Sequence, residues 1–444
     1  MASNLALAPL PDEKSQPGPL DDTKVDTNSS KEEAPLEPLA QTRKQLLTER
    51  IQFATLCWSI IVTGWNDGST GPLIPRLQVV YGIGYATVSL LFICATIGFI
   101  TGAFLNVPFS DKFTFGQLMV LGAFLQAIAY AISSAALPFP VLCVAYAING
   151  IGMALQDGQA NGYIATLKRK PEKKMGILHA AYGAGAMLSP LAATQFSRMT
   201  RWSFHYLVSL SLALSNTALL IVVFRLKSGD DCLVDVGQEA TEKQKSSESS
   251  LRQILYLKSV HLLSLYILVY VGVESTIGGW IVTYILREKH GNSSTGYIAS
   301  GYYGGIMIGR VALLKVNEKV GEHRVLFYYF VIALGLEFII WFVPSLIGGA
   351  IAAAFLGLVL APWYPVAMNE AARILPQWLL AGSMGWIAGF GQAGSALFPF
   401  ITGAISQRTS IRSFPPITVA MTAFTIVIWA VVLQISKQSM ARRL

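Results

Sequence analysis

Stretches of roughly twenty apolar residues, each long enough to cross the hydrocarbon core of a bilayer, recur twelve times along this 444-residue chain. They fall at about 51–78, 84–107, 117–136, 140–166, 175–197 and 203–225. After a polar gap they resume at about 258–286, 294–314, 325–345, 347–371, 377–406 and 414–436. Lipid offers backbone groups no hydrogen bonds, so such segments must be helices that satisfy their own amides. The expected fold is an all-α membrane protein with twelve transmembrane helices in two pseudo-symmetric six-helix bundles. Charged residues make up only 13% of the chain and mean hydropathy is +0.50, whereas soluble domains carry about a quarter charged residues. The net charge of +8 does not signal nucleic acid, because the basic residues cluster between spans, where they orient a membrane protein.

The first 50 residues contain Pro, Glu, Ser, Lys and Asp without an apolar run. Residues 1–50 are therefore expected to be a disordered tail rather than a signal peptide, with the first span acting as the membrane signal. The polar, Ser-rich stretch 226–256 reads as a linker between an N-terminal bundle, 51–225, and a C-terminal bundle, 257–436. Its end, Leu251 to Leu257, reads as a short surface helix, and 437–444 form a second tail. Lys168, Arg169, Lys170, Lys173 and Lys174 follow span four, Arg225 and Lys227 span six, and Lys315, Lys319 and Arg324 span eight. That bias outweighs Arg287, Lys289, Arg408 and Arg412 in odd loops and places both termini in the cytoplasm. The plasma membrane is the expected location. Asn292-Ser293-Ser294 is then a glycosylation acceptor in an outer loop, whereas Asn28-Ser29-Ser30 falls in the tail. Cys57, Cys94, Cys143 and Cys232 lack any metal-binding spacing and read as packing residues. No metal, cofactor or catalytic residue is implied.

The two halves repeat one another. WNDGSTGPLI in span one aligns with GVESTIGGWI in span seven, matching Asp67 with Glu274, Gly71 with Gly278 and Ile74 with Ile281. YGAGAMLSP in span five and FGQAGSALFP in span eleven differ by one inserted residue. Gly183, Gly185 and Pro190 in the first, and Gly391, Gly394 and Pro399 in the second, are the expected hinge or close-packing positions. Internal repeats of this kind are a mark of transporters.

An acid inside a membrane span is costly and is usually retained for function. Asp157, in LQDGQANGY, has Asn161 one helical turn later on the same face and Gln156 and Gln159 flanking it. It reads either as a proton-exchanging carboxylate facing an aqueous cavity or as a packing group bonded to neighbouring helices. Asp67 follows Trp65 and Asn66 and precedes Gly68, Gly71, Pro72 and Pro75, so span one is expected to loosen or break just beyond the carboxylate and leave backbone groups for a solute. Glu274, with Ser275, Thr276 and Trp280 near it, is expected to share an axis with Asp67, the alternative being a salt bridge to another helix. Glu337 stands alone in span nine and reads as structural. Asn369, Glu370 and Arg373 read as a gate or an interfacial ion pair, and His179 as a titrating or a structural histidine.

At WNDGSTGPLIPRLQ, LQDGQANGY, LHAAYGAGAMLSPL and GYYGGIMIGR the chain resembles the major facilitator superfamily, within it the fucose permease and sodium–glucose transporter branch and its fungal members. The resemblance covers the whole membrane portion. It implies a substrate role for the acid of span one, Asp67, and proton coupling for that of span four, Asp157. The loop motif of that superfamily between spans two and three is degenerate here, with Asp111 and Lys112 but no following glycine; Glu318, Lys319 and Gly321 stand for it in the second half.

The expected function is secondary transport of a small organic solute by alternating access, coupled to protons, with sodium the rival ion. The substrate-binding candidates are Asp67, Asn66, Trp65, Gln156, Asn161, Glu274 and Trp280. The protein is expected to act as a monomer, with no enzymatic activity. Sugar or polyol uptake is favoured over efflux of a small metabolite. An intramembrane aspartyl protease is disfavoured because Asp67 and Asp157 lack the usual Gly-x-Gly-Asp setting. A non-transporting nutrient sensor would usually carry a long signalling tail, and few residues follow about Gln434.

Overall fold

The computed structural model describes residues 41–238, 253–375 and 377–441. The tail expected over 1–50 lies mostly outside them, as do the middle of the linker and residues 442–444. Twelve long helices carry the described chain. The first six are α1 (Arg43–Tyr81), α2 (Leu90–Lys112), α3 (Phe115–Ser134), α4 (Phe139–Thr166), α5 (Pro171–Arg198) and α6 (His205–Phe224). The second six are α7 (Lys258–Glu288), α8 (Tyr297–Ala312), α9 (Glu322–Phe342), α10 (Leu346–Ile374, with a turn at Ala361 and Pro362), α11 (Gln377–Arg408) and α12 (Phe414–Ala441). There is no strand among the described residues. Eight of the helices are long and apolar enough to cross a membrane by length and composition alone. Of the other four, α1 and α5 are diluted by polar residues, α11 by Gly and Ser, and α8 has only 16 residues.

Two expected boundaries shift. The first helix starts at Arg43 rather than at 51, because Thr42 and Gln45 form a reciprocal capping box that satisfies its first amides. The linker begins later than 226. Residues Gly229–Asp235 form a helix capped by Ser228, and its Cys232 and Leu233, with Val236, are buried against Leu56, Phe115 and Phe224. Gln41 Nε2 donates to the Val236 carbonyl at 2.6 Å, so this segment belongs to the first bundle. A third expectation also changes: α1 does not break beyond Asp67. It runs through Pro72 and Pro75, clamped on both sides by the close packing of α5 and α7.

Lipid gives no hydrophobic drive for helix association, so the bundles rely on small residues that let backbones meet. A Cβ on Gly185 of α5 would lie 2.0 Å from the Ile61 carbonyl of α1, and one on Gly394 of α11 would lie 2.0 Å from the Leu268 carbonyl of α7. Ile61 and Leu268 each stand six residues before their acid, Asp67 and Glu274, so the sequence repeat is a packing repeat. The same holds for α2 on α4, through Gly98 and Ala147, and for α8 on α10, through Gly305 and Ala354.

The halves meet mainly on the side away from the start of α1, called here the far side. Gly71 of α1 abuts the Gly278 carbonyl of α7, so the glycines paired by the repeat touch. Gly84 faces Gln407, Ser89 faces Gly403, and Gln195 donates to the Tyr297 hydroxyl. Toward the other, terminal side, Cβ atoms built on Gly162, Gly176, Gly385 and Gly389 would meet nothing within 4 Å. None of these glycines touches the other half, so the glycine contacts that close the space between the bundles lie on the far side.

Candidate functional site

The carboxylate of Asp67 is held from both sides. Tyr182 of α5 donates its hydroxyl to Oδ2 at 2.7 Å, and Asn66 Nδ2 donates to Oδ1 at 3.1 Å. The Asn66 carbonyl oxygen is itself fixed by Asn149 Nδ2 of α4 at 2.7 Å and by the Tyr130 hydroxyl of α3 at 3.4 Å. Below it, Trp65 donates to Ser209 Oγ at 3.0 Å and stacks on His205 at 5.8 Å, while His205 Nε2 pairs with Ser69 Oγ at 2.9 Å. Four helices of the first bundle thus pin one turn of α1. Charge-assisted bonds of this kind are the stronger ones, and their chain fixes the direction in which Asp67 points.

Glu274 occupies the matching turn of α7. Tyr270, one turn earlier, donates to its carboxylate, and Tyr302 of α8 donates to its main-chain carbonyl at 3.1 Å. Asp67 and Glu274 lie within electrostatic reach of one another, and Tyr303 of α8 lies within reach of both. Asp157 sits toward the terminal side, its Oδ1 accepting from Asn161 Nδ2 at 3.0 Å, and Tyr364 of α10 lies within reach of Asp157 and Glu274. The three acids line one axis between the bundles, with phenols at each. None of them forms an ion pair among the described residues. The arrangement offers paired acceptors and hydroxyl donors between the bundles, and no metal-binding cluster of His, Cys, Asp or Glu stands among the described residues.

The structure brings Asn66, Asp67, Asp157, Asn161 and Glu274 toward this axis, but it does not bring in Trp65, which packs on α6 through Ser209 and His205, nor Gln156 or Trp280. Gln156 is fully buried between α3, α4 and α6, accepting from Gln126 at 2.8 Å and donating to the Met119 carbonyl at 2.9 Å. It faces those neighbouring helices because it is one residue, about a quarter turn, from Asp157. Trp280 is also fully buried. It donates to the Pro399 carbonyl at 2.9 Å and lies against Tyr85 and Phe92.

Gly185 and Gly394 are contact points within a bundle, while Gly183 faces Met307 across the halves and Gly391 faces Ile267 and Val271. Pro190 and Pro399 lie inside unbroken helices. Asn292 is exposed on the far side and accepts from the Ser294 amide at 2.8 Å. Glu337 is buried and accepts from Thr422 at 2.9 Å. Glu370 and Arg373 join Glu322, His323 and Ser436 within the second bundle, so this network ties α9, α10 and α12 and does not bridge the halves.

Reading the sequence missed Asn149, Tyr130, Tyr270 and Arg310 as site residues. Tyr270 and Glu274 have the i, i+4 spacing that brings side chains together on a helix, and Asn149 is a lone amide in an apolar run, so both carried a signal. Arg310 carried another, as a cation near the end of a glycine-rich span. Nothing local announces that Tyr130 reaches Asn66.

The sequence model of the Major Facilitator Superfamily matches residues 56–350. Bypass of stop codon protein 6 of Saccharomyces cerevisiae is 24% identical over 407 residues, covering 86% of this chain and 82% of that protein. The glucose/mannose transporter GlcP of Bacillus subtilis is 19% identical over 344 residues, covering 77% and 84%. Among solved structures, the Escherichia coli fucose:proton symporter superposes with a TM-score of 0.58 at 16% identity, covering 88% of this chain and 99% of that one. A bacterial homologue of the human lysosomal transporter Spinster, in an inward-facing unoccupied conformation, gives 0.70 at 12% identity, covering 90% and 98%.

Proposed function

The chain belongs to the Major Facilitator Superfamily, and from that premise we propose that it takes up a small polyhydroxylated solute, a sugar or polyol, together with protons. The observation that carries this reading is the pairing of Asp67 and Glu274. They are matched by the repeat, one from each bundle, and stand within electrostatic reach across the axis with Tyr182 and Tyr270 bonded to them. Carboxylates and phenols present acceptors and donors together, the combination that complements vicinal hydroxyls. The names of the Bacillus glucose/mannose transporter and the Escherichia coli fucose:proton symporter point the same way. Asp157, nearer the terminal side and bonded only to Asn161 among the described side chains, is the proposed proton carrier. Rocking of one bundle against the other would expose this axis to each side in turn.

Uptake of labelled glucose, mannose and fucose into proteoliposomes under an imposed proton gradient tests the reading. Uptake should follow the gradient, and Asp157→Asn should uncouple it. Uptake insensitive both to the gradient and to Asp157→Asn would defeat proton coupling. Flux that persists unchanged in Asp67→Asn and Glu274→Gln would defeat the site.

A further inference from the structure

Arg310 is a cation of the central opening that no acid among the described residues pairs with. It stands in the last turn of α8, and its surroundings come from both bundles. Its Nη1 donates to the His179 carbonyl of α5 at 3.1 Å, its guanidinium lies 6.0 Å from the Tyr182 ring, and Tyr270 of α7 and Tyr364 of α10 are within electrostatic reach. It makes no ion pair among the described residues. A guanidinium has five N–H donors in a planar fork that matches a carboxylate; here one donor is spent on a carbonyl. The acids of the centre are differently placed, since Asp67, Glu274 and Asp157 each already accept from a neighbouring side chain.

We propose that Arg310 is the specificity-determining residue of the central site and holds the carboxylate of a hydroxylated organic acid, whose hydroxyls lie against Asp67, Glu274 and their phenols. The proposal rests on the reading of this centre as a site for a polyhydroxylated solute and adds a carboxylate to that solute. A second feature has the same sign. The far-side cleft between α1, α5 and α7 is lined by Arg76 and Arg198, with Thr194, Ser197 and Ser293. Neither arginine forms an ion pair among the described residues, and Arg76 Nε is buried without an acceptor. Arg76 donates to the Met199 carbonyl and Arg198 to the Ser293 carbonyl, so the far-side cleft, like the centre, holds guanidinium charge partnered by carbonyls and by no carboxylate among the described residues, a field that favours an anionic ligand.

Three probes that differ only at one terminal carbon separate the possibilities: gluconate, glucitol and glucamine, which are anionic, neutral and cationic. Binding is read by ligand-dependent thermal shift of the purified full chain, with Arg310→Gln and Arg310→Lys alongside. Gluconate should bind at least about tenfold more tightly than glucitol, the range of one charge-assisted hydrogen bond. Arg310→Gln should remove that ratio while glucitol binding persists, and Arg310→Lys should restore part of it. Equal binding of gluconate and glucitol, or tighter binding of glucamine, would overturn the role of Arg310 and leave the proposed polyol site standing. Equal loss of all three probes in both variants would show that Arg310 only braces α8 against α5, and would overturn the proposal. Silence of all three probes with the unaltered protein would remove both readings.

Discussion

Gly71 and Gly278 are the contact at which one added side chain should change which side of the protein is open. A Cβ on Gly71 would sit 2.2 Å from the Gly278 carbonyl oxygen, and ordinary contact begins near 3.4 Å, so the two helices must part by about 1.2 Å (3.4 − 2.2). Overpacking of this kind costs about 1–3 kcal/mol. Because the contact lies between the bundles and not inside one, the strain can be relieved by rocking them apart on the far side. Gly71→Val is therefore expected to raise the ratio of far-side-open to far-side-closed molecules by about 5- to 150-fold. Spin labels at Leu137 and Val343, both exposed at the far-side ends of opposite bundles, would report it in a background lacking the native cysteines. Pulsed dipolar spectroscopy should show a new, longer-distance population in Gly71→Val. Gly162→Val, whose Cβ meets nothing within 4 Å, should leave the distribution unchanged. A Gly71→Val distribution identical to that of the unaltered chain, or loss of folded protein in its place, would refute the view of this contact as a movable seal.

The same overlap inside a bundle should act differently. Gly185→Val and Gly394→Val meet carbonyls at 2.0 Å with no way to swing clear, so each is expected to lower thermal stability by about 1–3 kcal/mol or more, and by similar amounts, as read by melting of the detergent-purified protein. Tyr182→Phe removes the 2.7 Å donor to Asp67, and the loss of a bond to a charged group, about 1.5–3 kcal/mol, should lower uptake at subsaturating solute by about tenfold or more in a flux assay. Glu337→Gln should leave uptake unaltered, with stability within about 1 kcal/mol, because the amide oxygen can still accept from Thr422; an uptake defect would move Glu337 from packing to function.

The helical class and the two-bundle plan were legible because they follow from the length and polarity of most segments, properties a lipid solvent enforces locally, and from the repeat, which supplies the four helices too polar or too short by those measures alone. So was the pairing of Asp67 with Glu274, since a repeat in sequence is a repeat in packing when glycines let equivalent backbones touch. The mistaken break in α1 has a local cause. Pro72 and Pro75 weaken a helix in isolation, but α5 and α7 hold this one straight.

The sequence by itself determined that this chain crosses a membrane as two related helical bundles and retains acids within them. The tertiary structure alone decided which polar residues share the axis: it turned Gln156 and Trp280 inward against neighbouring helices, drew Tyr182 and Tyr303 toward the carboxylates, and set Arg310 against Tyr182 and the His179 carbonyl. The reason is geometric. Periodicity shows that a helix has faces, but whether a face meets a neighbouring helix or the open axis depends on contacts between residues more than a hundred positions apart, such as Tyr182 with Asp67 and Arg310 with His179.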